Sequence, residues 1–149
     1  MNQKTIISIE IPGEAVPQAR PRVTRWGTYD PPRCRAYKEK VGIYAKAIMR
    51  GREPLDGPVK MIVTVSRGVP KSWSKKKKAE AMAGTVYPTT KPDIDNILKG
   101  LMDALKGIVW RDDAQVISVE ASKEYAEHPR VWVHVCKVVE REQDSETKD

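Results

Sequence analysis

The sequence predicts an α+β fold in a single domain, with a small mixed sheet, a C-terminal antiparallel hairpin and two main flanking helices. The chain has 149 residues, enough for one hydrophobic core without metal or disulfide staples. Apolar residues alternate near both ends, as in strands, and recur every three or four residues in two intervening segments, as in helices. No repeat or low-complexity linker divides the chain, so these elements are expected to share one core.

The first third of the chain is predicted to hold a strand, a long loop and a helix. In Thr5–Ile11, alternation places Ile7, Ile9 and Ile11 on one face of a predicted strand, which Pro12 ends. Glu14–Pro32 is rich in proline, arginine and glycine, which predicts a long ordered loop of the kind that often carries function. Arg35–Arg50 has helical apolar spacing and is predicted to bury one stripe. That stripe consists of Tyr37, Val41, Tyr44, Ala45 and Ile48.

The rest of the chain is predicted to form two more helices and three more strands. Val59–Ser66 alternates as a strand, and Ser74 is placed to cap a short basic helix, Lys75–Ala83. Asp95–Lys106 has the most regular apolar stripe in the chain and ends before a glycine. The last two strands are expected to pair as an antiparallel hairpin because only a short loop joins them. They are Ala114–Tyr125 and Val131–Val139.

The charge distribution favours a polyanionic partner. The net charge is +7 and the pI is about 9.4, which indicates nucleic acid or an anionic membrane surface. A protein that is basic without such a partner remains the alternative. Residues 140–149 carry five acidic and two basic side chains, a net charge of −3, which leaves +10 on residues 1–139. We therefore expect a domain at 1–139 followed by an acidic, flexible tail at 140–149.

Several classes of protein are disfavoured. Cys34 and Cys136 lie far apart and outside any Cys-x-x-Cys spacing, which argues against a zinc site or a disulfide framework. No stretch has the length of a transmembrane helix, and the N-terminus is a poor signal peptide. We expect a cytoplasmic protein with no membrane partner and no small-molecule cofactor.

The segment Lys91–Val116 concentrates carboxylates in an otherwise basic chain. Mg²⁺ prefers such oxygen ligands, neutralises the charge that develops in phosphodiester cleavage and lowers the pKa of the attacking water. Lys99 lies one helical turn after Asp95, where a cation can stabilise the negative charge that develops on the phosphorane oxygens. The five acids are Asp93, Asp95, Asp103, Asp112 and Asp113.

The spacing of these acids allows two geometries. The side chains of Asp93 and Asp95 point the same way if the backbone at the start of the helix is extended. The Asp112-Asp113 pair returns toward the helix start if Val109–Asp113 runs antiparallel beside the helix.

A purely structural interpretation of the same acids stays open. Asp93 or Asp95 can be an N-cap, the Asp112-Asp113 pair can be a turn, and Asp95, Lys99 and Asp103 can form surface pairs worth a few tenths of a kcal/mol.

The Glu-x-Lys element of PD-(D/E)xK nucleases is absent, because Glu120 and Lys123 have the wrong spacing.

Basic and aromatic residues outside this segment are candidates for contact with nucleic acid. Trp26 lies in a polar loop, where it can stack on an unpaired base or, alternatively, anchor the loop to the core. The lysines of the short helix can contact phosphate or form a solvated face, and His128 and His134 are expected to be structural. The candidate phosphate contacts are Arg20, Arg22, Arg25, Arg33, Arg35, Lys75, Lys76, Lys77 and Lys78.

Several motifs resemble one nuclease family. Pro92–Lys99 (PDIDNILK), Asp103–Leu105 (DAL) and Val109–Val116 (VWRDDAQV) look like the signature of the RusA Holliday-junction resolvases, crossover-junction endodeoxyribonucleases common in phages and prophages. Arg20–Arg22 and Pro70–Ser74 resemble phage-type members. The resemblance thus runs over nearly the whole predicted domain.

The resemblance implies a homodimer that uses Mg²⁺, with Mn²⁺ as a substitute, to cut four-way and other branched DNA by paired nicks. Such an enzyme serves DNA recombination, repair or phage DNA processing in the cytoplasm of a bacterium or a phage-infected cell. Carried over, the catalytic and metal-binding residues are Asp93, Asp95 and Asp113, and Lys99 is the required lysine. Asp103 and Asp112 match acidic positions of less clear role.

Two other functions remain as alternatives. A non-catalytic nucleic-acid-binding protein, whose acids only cap and solubilise, would bind DNA regardless of Mg²⁺ or of Asp95→Asn. A nucleotide-sugar transferase can use an Asp-x-Asp motif to hold a metal, but 149 residues are few for its donor domain.

Overall fold

In the computed structural model, which describes residues 3–139 and the side chains of 7–139, three helices and six strands form around one apolar core. The predicted tail at 140–149 lies outside the described residues. No helix among the described residues is both long and apolar enough to cross a membrane. The elements are β1 (Gln3–Pro12), β2 (Arg22–Thr24), β3 (Gly27–Tyr29), α1 (Pro32–Met49), β4 (Val59–Gly68), α2 (Lys75–Met82), α3 (Ile94–Leu105), a 3₁₀ turn (Asp113–Gln115), β5 (Val116–Ala126) and β6 (Arg130–Val138).

Four strands form a mixed sheet in the order β1-β6-β4-β5. β6 is antiparallel to both β1 and β4, whereas β4 and β5 are parallel. Alternation along the strands directs one set of apolar side chains to the face that α1 and α3 cover. These residues are Ile7, Ile9, Ile11, Val59, Met61, Val63, Val65, Val131, Val133 and Val135.

The predicted C-terminal hairpin is wrong, because β4 lies between β5 and β6. The three-residue link 127–129 spans the roughly 10 Å across β4, which an extended chain of that length reaches. A Cβ on Gly68, the last residue of β4, would lie 3.4 Å from Pro129 Cδ, so the glycine leaves room for the crossing chain. β4 takes the central place because its inward side chains are all apolar and at most 1% exposed, whereas β5 carries many polar side chains and forms an edge.

Helix α1 begins three residues earlier than predicted and buries a partly different stripe. Proline occupies its first position, where the missing backbone N–H costs nothing. Tyr44 and Ile48, expected to be buried, are 37% and 38% exposed. Each precedes a buried residue by one position, about 100° around the helix. The buried face consists of Cys34, Tyr37, Val41, Gly42, Ala45 and Met49.

The long loop after β1 contains a two-stranded ribbon that the sequence analysis missed. β2 and β3 pair antiparallel, with Arg22 opposite Tyr29 and Thr24 opposite Gly27. All six strand residues are exposed, so no buried stripe marked the ribbon in the sequence.

The predicted helix after Ser74 is confirmed as α2, and the Ser74 hydroxyl accepts a hydrogen bond from the Lys77 backbone N–H at 3.2 Å.

Helix α3 is joined to the first part of the same loop. Ile97, Leu101 and Leu105 are buried against the sheet. The Gln18 backbone N–H donates to the Asn96 carbonyl oxygen at 2.9 Å, which holds the loop against the helix. Gly100 faces this crossing, and a Cβ there would lie 3.8 Å from Gln18 N, an ordinary van der Waals distance.

Replacing Gly100 by alanine should therefore stabilise the protein. An added methyl group fits at this distance, and alanine is favoured over glycine inside a helix by about 0.5–1 kcal/mol. Urea denaturation should show this gain for Gly100→Ala and a loss for Gly100→Leu, whose bulk would displace Gln18. A loss in both variants would mean that the loop approaches the helix more closely than described.

Candidate active-site clefts

Two adjoining clefts lie beside α3. The first, the Asp93 cleft, has a volume of about 340 Å³, and the second, the Asp113 cleft, about 390 Å³. Gln18 lines both, so the clefts meet at that residue. The Asp93 cleft is lined by Glu14, Ala15, Pro17, Gln18, Arg33, Arg67, Lys91, Pro92, Asp93 and Asn96. The Asp113 cleft is lined by Gln18, Pro21, Lys38, Lys99, Met102, Asp103 and Asp113.

Asp93 occupies the N-cap position of α3 but does not cap it. Its backbone is extended, with φ −77° and ψ 141°, and its side chain makes no capping hydrogen bond. The side chain is exposed and lines its cleft. The expected capping role is therefore not what holds this carboxylate in place.

Two cations position the backbone that leads into Asp93. Lys123 Nζ donates to the carbonyl oxygens of Thr90 at 2.8 Å and Pro92 at 3.1 Å. The Arg67 guanidinium donates to the Lys91 carbonyl oxygen and pairs with Glu14, whose Oε2 lies 3.0 Å from Arg67 Nε. The sequence analysis missed Lys123 and Arg67, because their partners are 24 or more residues away and no motif links them.

Asp95 does not share a face with Asp93, as it would in an extended Asp-x-Asp segment. Because the helix already begins at Ile94, residues two apart no longer share a face. Asp95, Lys99 and Asp103 instead follow one another at four-residue intervals along one face of α3. Lys99 and Asp103 line the Asp113 cleft, whereas Asp95 is exposed and is not among the residues lining either cleft.

Asp113 is held by a buried tryptophan. Trp110 Nε1 donates to Asp113 Oδ1 at 2.8 Å, and Trp110 is 0% exposed. Val109–Asp113 was expected to bring Asp113 back to the start of α3. Asp113 instead shares a cleft with Lys99 and Asp103, farther along the helix, and does not line the Asp93 cleft.

Asp112 and Gln115 brace the turn that carries Asp113. Asp112 Oδ1 accepts from the Ala114 backbone N–H at 3.0 Å, and Gln115 Oε1 accepts from the Asp112 backbone N–H at 3.0 Å, which is a capping box. Gln115 Nε2 also donates to the carbonyl oxygens of Leu55 at 2.8 Å and Gly57 at 2.9 Å. The sequence analysis missed Gln115, although the Asp-x-x-Gln spacing is the signal that identifies such a box.

Lys38 joins the wall of the Asp113 cleft to the loop. Its Nζ lies 2.6 Å from Asp103 Oδ2 and 2.7 Å from Asp30 Oδ2, and Gln18 Nε2 donates to Asp30 Oδ1 at 3.0 Å. The hydrogen bond from Lys38 lowers the pKa of Asp30. Burial alone would lower the pKa of Lys38, but its hydrogen bonds to Asp103 and Asp30 outweigh burial and raise it.

The three predicted metal ligands are not gathered into one group. Within residues 3–139, no set of three or more His, Cys, Asp or Glu side chains is arranged to hold a metal ion. Asp93 lines one cleft, Asp113 the other, and Asp95 lies on the helix surface. All three still offer oxygen donors at or next to the adjoining clefts.

The predicted DNA contacts fall into two regions. Arg33 lines the Asp93 cleft, and Arg20, Arg22, Arg25 and Arg35 are exposed nearby in sequence on the ribbon, its approach and the start of α1. None of the α2 lysines lines either cleft, and the ammonium of Lys77 lies 4.0 Å from the Trp73 ring centroid. They are Lys75, Lys76, Lys77 and Lys78.

Two aromatic residues of the sequence analysis lie in different surroundings. Trp26 is 86% exposed, so the interpretation of this residue as a core anchor is wrong. His134 stacks on Trp132 with ring centroids 5.5 Å apart and is hydrogen-bonded to Ser8 Oγ at 2.8 Å, contacts of a structural residue.

Comparison with known proteins identifies the family. A family model described as endodeoxyribonuclease RusA matches residues 12–136, which include every residue of both clefts. The chain belongs to the RusA endodeoxyribonuclease family. An uncharacterized Bacillus subtilis (strain 168) protein, YqaN, is 43% identical over 138 residues, which cover 89% of this chain and 96% of that protein. The resemblance in the sequence motifs is thus confirmed, and membership of the RusA family supports a nuclease.

The Trp110–Asp113 hydrogen bond predicts different costs for two substitutions. Asp113→Ala would leave the buried indole N–H without an acceptor and should lower the free energy of unfolding by about 1–3 kcal/mol. Asp113→Asn keeps an oxygen that can accept this hydrogen bond and should cost distinctly less. Urea denaturation of both variants tests this, and equal losses would mean that the bond does not hold Asp113.

The Lys38 bridge predicts a pH-dependent contribution to stability. Asp30, with a lowered pKa, stabilises the fold above its ordinary pKa of 3.8 and loses this effect as the pH falls through its folded-state pKa. Lys38, with a raised pKa, contributes fully below its ordinary 10.5 and loses the effect at higher pH. Lys38→Met should therefore lower the free energy of unfolding by about 1–2 kcal/mol near neutral pH.

The difference between wild type and Lys38→Met should be nearly constant from about pH 5 to about pH 9 and shrink as the pH falls below 3.8. Lys46→Met, at an exposed position on the same helix, is the matched control and should change little at any pH. A difference that stays constant into strong acid would contradict a role for the Asp30 carboxylate.

Proposed function

We propose that this RusA-family protein is a Mg²⁺-dependent, structure-selective endodeoxyribonuclease that resolves four-way and other branched DNA by paired nicks. The observation that carries the proposal is the family match over residues 12–136 together with the placement of Asp93, Asp113 and Lys99 in adjoining clefts. A phosphodiester lying across the two clefts would have the Asp93 carboxylate on one side and Asp113 with Lys99 on the other.

The donor set fits Mg²⁺, even without a preformed group of three carboxylates. Mg²⁺ usually binds through one or two carboxylates plus substrate phosphates and keeps several waters, rather than entering an all-protein cage. Asp93, Asp95 and Asp113 are the side chains that would hold it, and Asp93 is not engaged in capping α3. When bound, the ion neutralises charge on the phosphate and lowers the pKa of the attacking water.

The protein's own side chains would stabilise the charge on the phosphate and hold the carboxylates in position. Lys99, exposed at the Asp113 cleft, is positioned to stabilise negative charge on a phosphate bound there. The Trp110 indole fixes the carboxylate of Asp113, while Lys123 and Arg67 fix the backbone before Asp93. Such supporting contacts matter because errors of about 1 Å in a catalytic constellation cost large factors in rate.

The arginines around the clefts are proposed to hold the DNA backbone. Contacts to phosphate are independent of sequence and make affinity fall as salt rises. Arg33 lies within the Asp93 cleft, and the arginines of the ribbon and its approach lie close to it along the chain. The α2 lysines would contact a more distant part of a branched substrate.

Paired nicks on a four-way junction call for two active sites. The two scissile strands are related by approximate two-fold symmetry, and a C₂ dimer presents two sites with the same symmetry. We therefore propose a homodimer, which sedimentation of the protein at micromolar concentration would test. Recombination, repair and phage DNA processing would each supply the branched substrate.

A second candidate function follows from a specific observation. Because no three-acid metal group is assembled within residues 3–139, a protein that binds branched DNA without cutting it is the alternative. The two functions differ in whether Mg²⁺ and the acidic residues matter for the outcome.

The deciding experiment compares a labelled four-way junction with a linear duplex of the same sequence, with Mg²⁺ or with EDTA. Wild type should place symmetric nicks near the branch point only with Mg²⁺, and Asp93→Asn, Asp95→Asn, Asp113→Asn and Lys99→Ala should each lower the rate on the order of 100-fold or more. The aspartate variants should still bind the junction, because removing a carboxylate relieves its repulsion of phosphate.

Asp112→Asn is the matched control for these variants. Asparagine caps as well as aspartate, so the turn should persist and the cleavage rate should stay near that of wild type. A candidate variant that cuts at the wild-type rate would remove that residue from the site. Tight binding without cleavage, indifferent to Mg²⁺, would favour the second candidate function.

A further inference from the structure

We propose that the β2–β3 ribbon recognises the branch point itself, with Trp26 at its tip stacking on a nucleobase that the branch leaves exposed. The proposal rests on the proposed function in that its ligand is branched DNA, but it concerns selectivity rather than cleavage. It assigns to one side chain the preference for branched over linear DNA.

The exposure of the ribbon is the first observation. Trp26 is 86% exposed and Val23 is 81% exposed, although indole and branched aliphatic side chains gain most from burial. Every residue of both strands is exposed as well. A tryptophan kept in solvent at the tip of a projecting ribbon is available for a partner with a flat apolar face.

The turn that carries Trp26 is held by side-chain contacts. Thr24 Oγ1 donates to the Gly27 carbonyl oxygen at 3.0 Å and accepts from the Trp26 backbone N–H at 3.2 Å. Gly27, which pairs with Thr24 and follows the turn at Arg25-Trp26, has φ 132°, a conformation that side chains rarely adopt and that glycine allows. The indole is thus carried by a defined turn rather than by a loose loop.

The charge around the indole suits nucleic acid rather than an apolar protein partner. The Arg25 guanidinium lies 5.0 Å from the Trp26 ring centroid, and Arg22 and Arg20 follow along β2 and its approach. An aromatic ring flanked by arginines combines base stacking with phosphate contact, as proteins that bind single-stranded nucleic acid do.

The ribbon leaves from and returns to the wall of the Asp113 cleft. Pro21, immediately before β2, lines that cleft. Asp30, immediately after β3, is held by Lys38 and Gln18, which line it too. Trp26 is five positions after Pro21, so the tip lies within about 17 Å of the cleft wall. This is roughly five nucleotides along a strand, which limits how far from the stacked base a cut can fall.

A branch point differs from a duplex in the feature that Trp26 would use. Within a linear duplex every base is stacked on its neighbours, so the indole gains nothing without unstacking a pair. At a junction or flap the terminal base pairs and unpaired bases expose a face. Loss of one base–aromatic stack should weaken junction binding about tenfold or more.

The test measures binding in EDTA, so that it does not depend on cleavage. A four-way junction with 2-aminopurine at the branch point and a linear duplex with 2-aminopurine inside are titrated with wild type, Trp26→Ala, Trp26→Phe and Val23→Ala. We expect wild type to prefer the junction and to quench its 2-aminopurine. Trp26→Ala should bind the junction at least about tenfold more weakly, lose the quenching and bind the duplex within about twofold of wild type.

Trp26→Phe should retain most of the preference, because phenylalanine also stacks, and Val23→Ala controls for damage to the ribbon away from its tip. A wild type that prefers the junction, with Trp26→Ala equally selective, would overturn the role of the ribbon and leave the nuclease proposal standing. Equal weakening on both DNAs would also overturn it, by making Trp26 a general contact. A wild type without any junction preference would overturn the proposed function and the ribbon's role together.

Discussion

The burial of one face of α3 against the sheet determines where the acidic residues lie. Ile97, Leu101 and Leu105 are at most 1% exposed, and each contributes about 1.5–3 kcal/mol through the apolar area it removes from water. Because this buried stripe fixes the rotation of the helix about its axis, the row of Asp95, Lys99 and Asp103 faces outward. The Gln18 crossing over Gly100 then brings the loop, and with it the ribbon, to the same side.

Local patterns predicted the elements well because each element satisfies its own periodicity. The alternating isoleucines of β1 and the stripe and aspartate start of α3 were readable from neighbouring residues. The stripe of α1 was partly misassigned, since Tyr44 and Ile48 are as apolar as the residues that pack in their place. The order of the strands could not be predicted from such patterns. A short link between β5 and β6 predicts a hairpin, and no neighbouring residue indicates that β4 lies between these two strands.

The candidate site was likewise predicted in part. The motif residues were found from the sequence, and so was the resemblance that the family match confirms. The residues that position them were not, since Lys38 meets Asp103 across 65 positions and Lys123 meets Thr90 across 33. Hydrogen bonds to backbone carbonyls carry little sequence signal, because any residue supplies the acceptor.

The position of β6 has a consequence for how the chain acquires its fold. β6 is the last strand in sequence, yet it lies inside the sheet and separates β1 from β4. Among the described residues β1 pairs with β6 alone, so β1 gains its hydrogen-bonded neighbour only after β6, more than 100 residues later in the chain, has been synthesised. Pairings between distant segments form slowly and leave apolar strands exposed meanwhile. During synthesis the isoleucine-rich β1 is thus exposed for longest, and a chain that stops short of residue 130 would lack the strand that joins β1 to β4.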